Sequence, residues 1–107
     1  MSGDDTTLGG YLQVHQRPPA FGGSDGAAYS VSTLVDDDPD SAGRFGAALL
    51  FIRWSEGGER AIGHLETDYL AFGSTPEAAR DPVLALTLHE VKAHLDRCIA
   101  RRGAAGA

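Results

Sequence analysis

The chain contains 107 residues, of which 42% are hydrophobic and 22% charged, and this length and composition are typical of one globular domain. Its formal net charge of −6 makes direct nucleic-acid binding unexpected, because phosphate neutralisation needs clustered lysine or arginine side chains. No apolar run approaches the roughly 20 residues that cross a bilayer, so no membrane association is expected. Cys98 is the only cysteine, which excludes an internal disulfide framework and favours a cytoplasmic location.

The negative charge is distributed unevenly along the chain. Residues 1–40 contain seven acidic side chains and one basic side chain, Arg17, for a net charge of −6, whereas residues 41–107 contain eight of each. Such a field accelerates the encounter with a positively charged partner. We therefore expect a partner protein with a basic surface. A second copy of the chain is expected as a partner in its place or in addition, and no cofactor is expected. The excess of arginine over lysine is typical of a bacterial protein from a GC-rich genome.

The two ends of the chain lack the patterns of folded segments. The first ten residues are acidic without apolar periodicity, and GAAGA follows the last helical residues. The predicted organisation is a disordered leader over residues 1–10, a single α+β domain over 11–102 and a flexible tail over 103–107.

The first half of the domain predicts strands. YLQVHQ, residues 11–16, predicts a short strand that ends before Pro18, and FGGSDG, residues 21–26, predicts a loop. AAYSVSTLV, residues 27–35, alternates as a strand with one solvated face does. The side chains predicted to share one face are Tyr29, Val31, Thr33 and Val35.

A hairpin is predicted next, from RFGAALLFIRW at 44–54 and AIGHLETDYLAF at 61–72, with its turn at Gly57-Gly58. A two-residue or four-residue turn places Phe51 opposite His64, whereas a three-residue turn would reverse the faces. The same pairing places Leu49 opposite Glu66 and Ala47 opposite Asp68. Under this register Leu49 and Phe51 share the exposed face, and the helix covers the other face. That covered face contains Leu50, Ile52, Trp54, Leu65 and Tyr69.

The C-terminal third predicts helix. Thr75 is the N-cap with Pro76 at the first helical position, or Ser74 is the cap with Glu77 closing a capping box. Proline at 82 is expected to kink or re-cap the chain. The segment 82–101 then has one apolar stripe, formed by Leu84, Leu88, Val91, Leu95 and Cys98. The predicted fold class is α+β: an antiparallel three- to four-stranded sheet with one long C-terminal helix packed on one face.

The candidate site is in GHLETDYL, where His64, Glu66 and Asp68 alternate along a strand and point to one face. Neighbours on one strand face are roughly 6.5–7 Å apart, too far to hold one ion without help from another strand. With the predicted register the face also contains apolar residues, a mixture typical of an association surface. The predicted partner-binding residues are Leu49, Phe51, Arg53, His64, Glu66 and Asp68.

Residues 63–99 resemble the HicB antitoxin family. Gly73, Ser74, Thr75, Glu77 and Ala78-Ala79 match that family's turn from a strand into an acidic helix start. The resemblance implies a short antiparallel sheet with a helix. It also implies a domain that binds a small basic RNA-cleaving toxin and often forms dimers.

Two functional hypotheses result. The first is a small non-enzymatic protein-interaction module, antitoxin-like in its concrete form, that binds a partner protein or itself through the exposed sheet face. The alternative is a metal-assisted hydrolase or nuclease that uses Glu66, Asp68 and His64, with a further carboxylate from residues 36–40.

Overall fold

Five antiparallel strands form one open sheet in the computed structural model, which describes residues 5–105. The predicted α+β class is confirmed, with an antiparallel sheet and a helix at the C-terminal end. In chain order the elements are α1 (Leu8–His15), β1 (Ala20–Gly22), β2 (Ala28–Val35), β3 (Phe45–Trp54), β4 (Ala61–Glu66), β5 (Ala71–Gly73), α2 (Pro76–Leu84) and α3 (Leu88–Ala105).

β3 is the central strand of the sheet. The strand order is β1-β2-β3-β4, and β5 pairs with the beginning of β3 on the edge that β4 occupies further along. The predicted strand 61–72 is therefore two strands, and Ala20–Gly22, predicted as loop, is a short edge strand. The run of apolar residues on both faces of β3 is consistent with its central position.

The predicted register of the β3–β4 hairpin is wrong by one residue. Phe51 lies opposite Leu65, and Ile52 lies opposite His64. The cause is a bulge: Trp54 pairs with Ala61 as predicted, but Arg53 pairs with Gly63, which leaves Ile62 without a partner across the ladder. The same shift places Leu50 opposite Glu66.

The shift reverses which face of β3 is covered. We call the covered side the inner face and the opposite side the outer face. Leu49 and Phe51 are fully buried on the inner face, where we had predicted exposure. Tyr29 and Val31 lie on the same inner face, as the alternation of β2 predicted.

All three helices of the described chain contribute to the core on the inner face. Leu8 comes from α1, Ala79 and Val83 from α2, and Val91 and Leu95 from α3. The stripe predicted for the C-terminal helix is confirmed at its centre, with Cys98 also buried. The strand residues that complete this core are Tyr29, Val31, Ala47, Leu49, Phe51 and Leu65.

The strand predicted over residues 11–16 is wrong, because this segment continues the helix α1. The Thr7 side chain accepts a hydrogen bond from Gly10 N at 3.1 Å and caps the helix. Leu8 is fully buried, and its N–H donates to Leu86 O at 2.8 Å. The predicted leader is thus folded from residue 8 onward, and its residues 1–4 lie outside the described part of the chain.

The predicted helix over residues 82–101 is interrupted. Of the two predicted caps, Thr75 is the one that caps α2, and Pro82 lies inside this helix. A second helix begins after Thr87, whose Oγ1 accepts from Glu90 N at 3.1 Å while Glu90 Oε1 accepts from Thr87 N at 2.9 Å. This reciprocal capping box went unpredicted. α3 extends past the predicted end at Gly103 to Ala105, and residues 106–107 of the predicted tail lie outside the described part.

Candidate functional site on the outer sheet face

The outer face of the sheet presents apolar side chains that no described helix covers. Leu34 of β2 lies opposite Ala48 of β3, and Leu50, Ile52 and Trp54 follow Ala48 on the same side of β3. Leu34, Leu50, Ile52 and Trp54 are partly exposed and lie outside the core cluster, to which all three helices contribute. The outer face is therefore an open apolar surface along the central strand.

Aromatic side chains stand at both ends of this surface, each fixed by a hydrogen bond. Trp54 Nε1 donates to Ser30 Oγ at 2.9 Å at one end. At the other end Tyr69 Oη donates to Asp36 Oδ2 at 2.5 Å. The Tyr69 ring lies over Gly46, where a Cβ would approach ring carbons to 2.7 Å, so only glycine leaves room for it. Fixed aromatic side chains lose little conformational entropy on binding.

Phe72 extends the aromatic end of the outer face. Its partner across the β3–β5 ladder is Gly46, and its ring centroid is 5.6 Å from that of Tyr69 in an edge-on arrangement. Tyr69 and Phe72 are 47% and 45% exposed, values that leave almost half of each side chain available to another molecule. The guanidinium of Arg44 lies over the Phe72 ring at 4.5 Å and pairs with Asp40 at 3.0 Å.

An acidic cavity of about 390 Å³ opens beside Tyr69. Leu34 and Ala48 form its apolar wall, and Asp36, Glu66 and Asp68 contribute carboxylates to its lining. Hydrogen bonds from Tyr69 Oη and from the Asp38 N–H lower the pKa of Asp36, which keeps this carboxylate ionised at neutral pH. The cavity thus combines aliphatic surface with fixed negative charge.

A second depression of about 420 Å³ adjoins this cavity along β4. Leu50 and Ile52 line it on the β3 side, and His64 and Glu66 line it on the β4 side. His64 Nε2 is 3.4 Å from Glu66 Oε2, and both side chains are about half exposed or more. Glu66 lines both depressions, which are therefore adjacent, and we call the two together the groove, with an apolar half along Leu50 and Ile52 and an acidic half around Asp36.

The predicted site residues are divided by the structure into two groups. His64 and Glu66 lie on the outer face as predicted, and Asp68, just beyond β4, lines the same groove and pairs with Arg101 Nη1 at 3.3 Å. Leu49 and Phe51 lie on the inner face, so their prediction as exposed binding residues is wrong.

Arg53 also lies apart from the predicted partner-binding residues on the outer face. It shares the inner side of β3 with Tyr29, its partner across the ladder, at the open end of the core. Its Nε lies 3.9 Å from Asp25 Oδ2 and is buried without a hydrogen-bond partner among the described residues. Asp25 in turn accepts a hydrogen bond from Tyr29 Oη at 2.8 Å. Arg53 therefore belongs to a polar cluster away from the outer face.

The sequence prediction missed part of the outer face. The missed residues are Leu34 on β2, Tyr69 after β4, and Leu50, Ile52 and Trp54 on β3. Leu50, Ile52 and Trp54 were assigned to the helix side by the predicted register. The amino acids on each face of β3 follow from its alternation, but nothing in the alternation says which face the helices cover. The acid Asp36 and the aromatic Tyr69 are 33 residues apart, and only the fold brings them together.

The metal-ligand arrangement of the alternative hypothesis is not assembled. Within residues 5–105, one group of three acidic, histidine or cysteine residues has ligand atoms within 4.8 Å of one another: Asp36, Asp37 and Asp38. These side chains lie in a largely exposed turn, and the group includes neither His64 nor Glu66.

Comparisons of the chain with protein-family models, with curated proteins and with solved structures give no match. The resemblance of residues 63–99 to the HicB family therefore remains a prediction. Within the described chain, no helix is both long and apolar enough to cross a membrane.

Proposed function

We propose that this protein is a small non-enzymatic interaction module that binds another polypeptide through the outer face of its sheet. The observation that carries the proposal is the uncovered apolar surface of Leu34, Leu50, Ile52 and Trp54, bounded by hydrogen-bonded aromatic side chains. Exposed apolar patches of this kind mark sites of association in soluble proteins.

The dimensions of the outer face suit a polypeptide partner. The five strands contain 3, 8, 10, 6 and 3 residues, and with a rise of about 3.3 Å per residue and a spacing of about 4.8 Å they give a face of about 480 Å² in projection. A stable protein–protein interface buries roughly 800 Å² on each partner. A partner that covers this face would therefore also need to contact the turns around the sheet to form an interface of that size.

Antitoxin-like neutralisation is the concrete form of the proposal. Its support is the HicB-like turn at Gly73–Ala79 together with the acidic character of the chain. The occupant of the outer face is then a partner protein or a second copy of this chain, in a cytoplasmic location expected from the single cysteine.

Site-specific photo-crosslinking in the source cells tests the proposal. A benzophenone amino acid replaces Ile52 on the outer face or, as a matched control, Val14 on α1, which is 42% exposed on a different element. We expect one discrete crosslinked species at position 52 and none at position 14. Identical patterns at both positions, or no product at either, would contradict the proposed binding face.

A further inference from the structure

We propose that the occupant of the outer face is a basic amphipathic helix of a partner protein, whose lysine or arginine side chains enter the acidic half of the groove. Its apolar side chains contact Leu50, Ile52 and Trp54. This inference rests on the proposed function of the outer face and adds the charge and the conformation of the bound segment.

The carboxylates on the outer face favour a bound segment with basic side chains. Of the carboxylates that line the groove, Asp36 takes part in none of the ion pairs among the described residues, whereas Asp68 is paired with Arg101. Glu66 has one ion-pair contact among the described residues, with His64 Nε2 at 3.4 Å, and none with a lysine or arginine. Cationic side chains of a partner would therefore meet two carboxylates, Asp36 and Glu66, that have no lysine or arginine partner among the described residues, beside apolar walls that reduce screening by water.

The same charges argue against a second copy as the occupant. Among the outward-facing strand residues of the described chain there is no lysine or arginine, and Arg44, beyond β3, is already paired with Asp40. A second copy that stacked on this face would bring the same carboxylates into a low-dielectric interface. Like charges placed together in an interface repel each other and weaken association.

The shape of the groove suits a helix. A helix with its side chains is about 10–12 Å wide, which corresponds to about two strand spacings. The groove lies between Leu34 on β2 and His64 on β4, on either side of the central strand β3. Ala48 and Ile52, at its acidic and apolar halves, are separated by about 13 Å along the strand, or roughly two helical turns. Apolar and basic side chains two turns apart on one helix face would fill the two halves together.

Trp54 provides a local reporter, because it is the only tryptophan in the chain and lies on the outer face. The probe is a peptide of about 15 residues, a length at which isolated helices begin to persist in water, composed of leucine, alanine and lysine with the leucines on one helical face. A twin peptide has glutamate at every lysine position. We expect the lysine peptide to shift Trp54 fluorescence saturably, and the glutamate peptide to bind at least about tenfold more weakly.

Variants separate the two halves of the groove. Asp36→Asn with Glu66→Gln keeps the shapes and the hydrogen-bond acceptor for Tyr69, and we expect at least about tenfold weaker binding of the lysine peptide. The matched control, Glu77→Gln with Asp81→Asn, makes the same change of charge on α2 and should leave the affinity within about twofold. Ile52→Asp should abolish the fluorescence response, whereas Val14→Asp should preserve it.

The outcomes distinguish this inference from the proposed function. Equal binding of both peptides, or equal effects of the two neutralised pairs, would overturn the basic occupant while leaving the outer face as a binding surface. A crosslink at position 52 to a second copy of the chain would also overturn it. Absence of both peptide binding and any crosslink at position 52 would remove the proposed function itself.

Discussion

Phe51 and Ile52 are neighbours in β3 and lie in opposite environments. Phe51 is fully buried among core residues, while Ile52 is partly exposed on the outer face. We expect Phe51→Ala to lower the free energy of unfolding by about 3–5 kcal/mol through lost burial and a cavity. Ile52→Ala should cost about 1 kcal/mol or less, because the side chain is already in contact with water. Urea unfolding of the two variants measures the difference, and similar losses would contradict the assignment of faces.

The hydrogen bond between Tyr69 and Asp36 has a consequence for acid titration. Because it lowers the pKa of Asp36 in the folded state, the ionised carboxylate stabilises the fold above its unfolded pKa. This contribution is lost as the pH falls through the lowered folded value.

We expect Tyr69→Phe to move the pKa of Asp36 upward, toward the ordinary aspartate value, since the main hydrogen bond to its charged form is removed. NMR titration of the side-chain carboxyl carbon measures this directly. Asp96 on α3, whose pKa is lowered chiefly by the hydrogen bond from Lys92, serves as an internal reference that should not respond to the change at Tyr69. An unaltered Asp36 titration in the variant would show that the hydrogen bond does not form in solution.

Capping residues decide where the helices begin. The Thr75 side chain accepts a hydrogen bond from Ala78 N at 3.0 Å, and its neighbour Ser74 has no comparable contact. We expect Thr75→Ala to reduce stability by about 1 kcal/mol, the usual effect of removing an N-cap, and Ser74→Ala to have almost none. Thermal unfolding of the pair tests the choice between the two caps that the sequence left open. A larger loss in the Ser74 variant would reverse it.

The sequence predicts individual elements of this protein better than the contacts between them. Alternation in β2 and the apolar run of β3 follow from local periodicity, as does the stripe of α3. The interruption between α2 and α3 was missed because the apolar spacing continues through it, although the capping residues Thr87 and Glu90 mark it.

The candidate site was predicted only in part, for a geometric reason. A register shift of one residue changes which side chains of two paired strands share a face. Because of the bulge at Ile62, His64 and Glu66 share their face with Leu50 and Ile52, where the prediction placed Leu49 and Phe51. His64 and Glu66 keep their place on the outer face. The approach of Asp36 to Tyr69 depends on long-range packing, which no local pattern contains.

At the scale of the whole molecule, residues 6–15 near the N-terminus are part of the fold. Besides the burial of Leu8, the Leu88 N–H donates to Thr6 O at 2.8 Å, which ties α1 to the start of α3. We expect Leu8→Ala to lower the free energy of unfolding by about 2–5 kcal/mol. Val14→Ala, on the exposed side of the same helix, should change it by less than about 0.5 kcal/mol. Chemical denaturation distinguishes them, and a negligible effect at Leu8 would restore the prediction of a disordered leader.

The bulge at Ile62 also affects how the β3–β4 hairpin can tolerate the loss of a residue. Ala61 and Gly63 pair with consecutive residues of β3, so Ile62 is an additional, unpaired residue near the start of β4. Removing it would straighten β4 without moving His64 or Leu65 to the opposite side of the sheet. The hairpin can therefore gain or lose one residue here during evolution while both surfaces of the protein keep their composition, whereas the same change within Gly63–Glu66 would turn the remainder of the strand over.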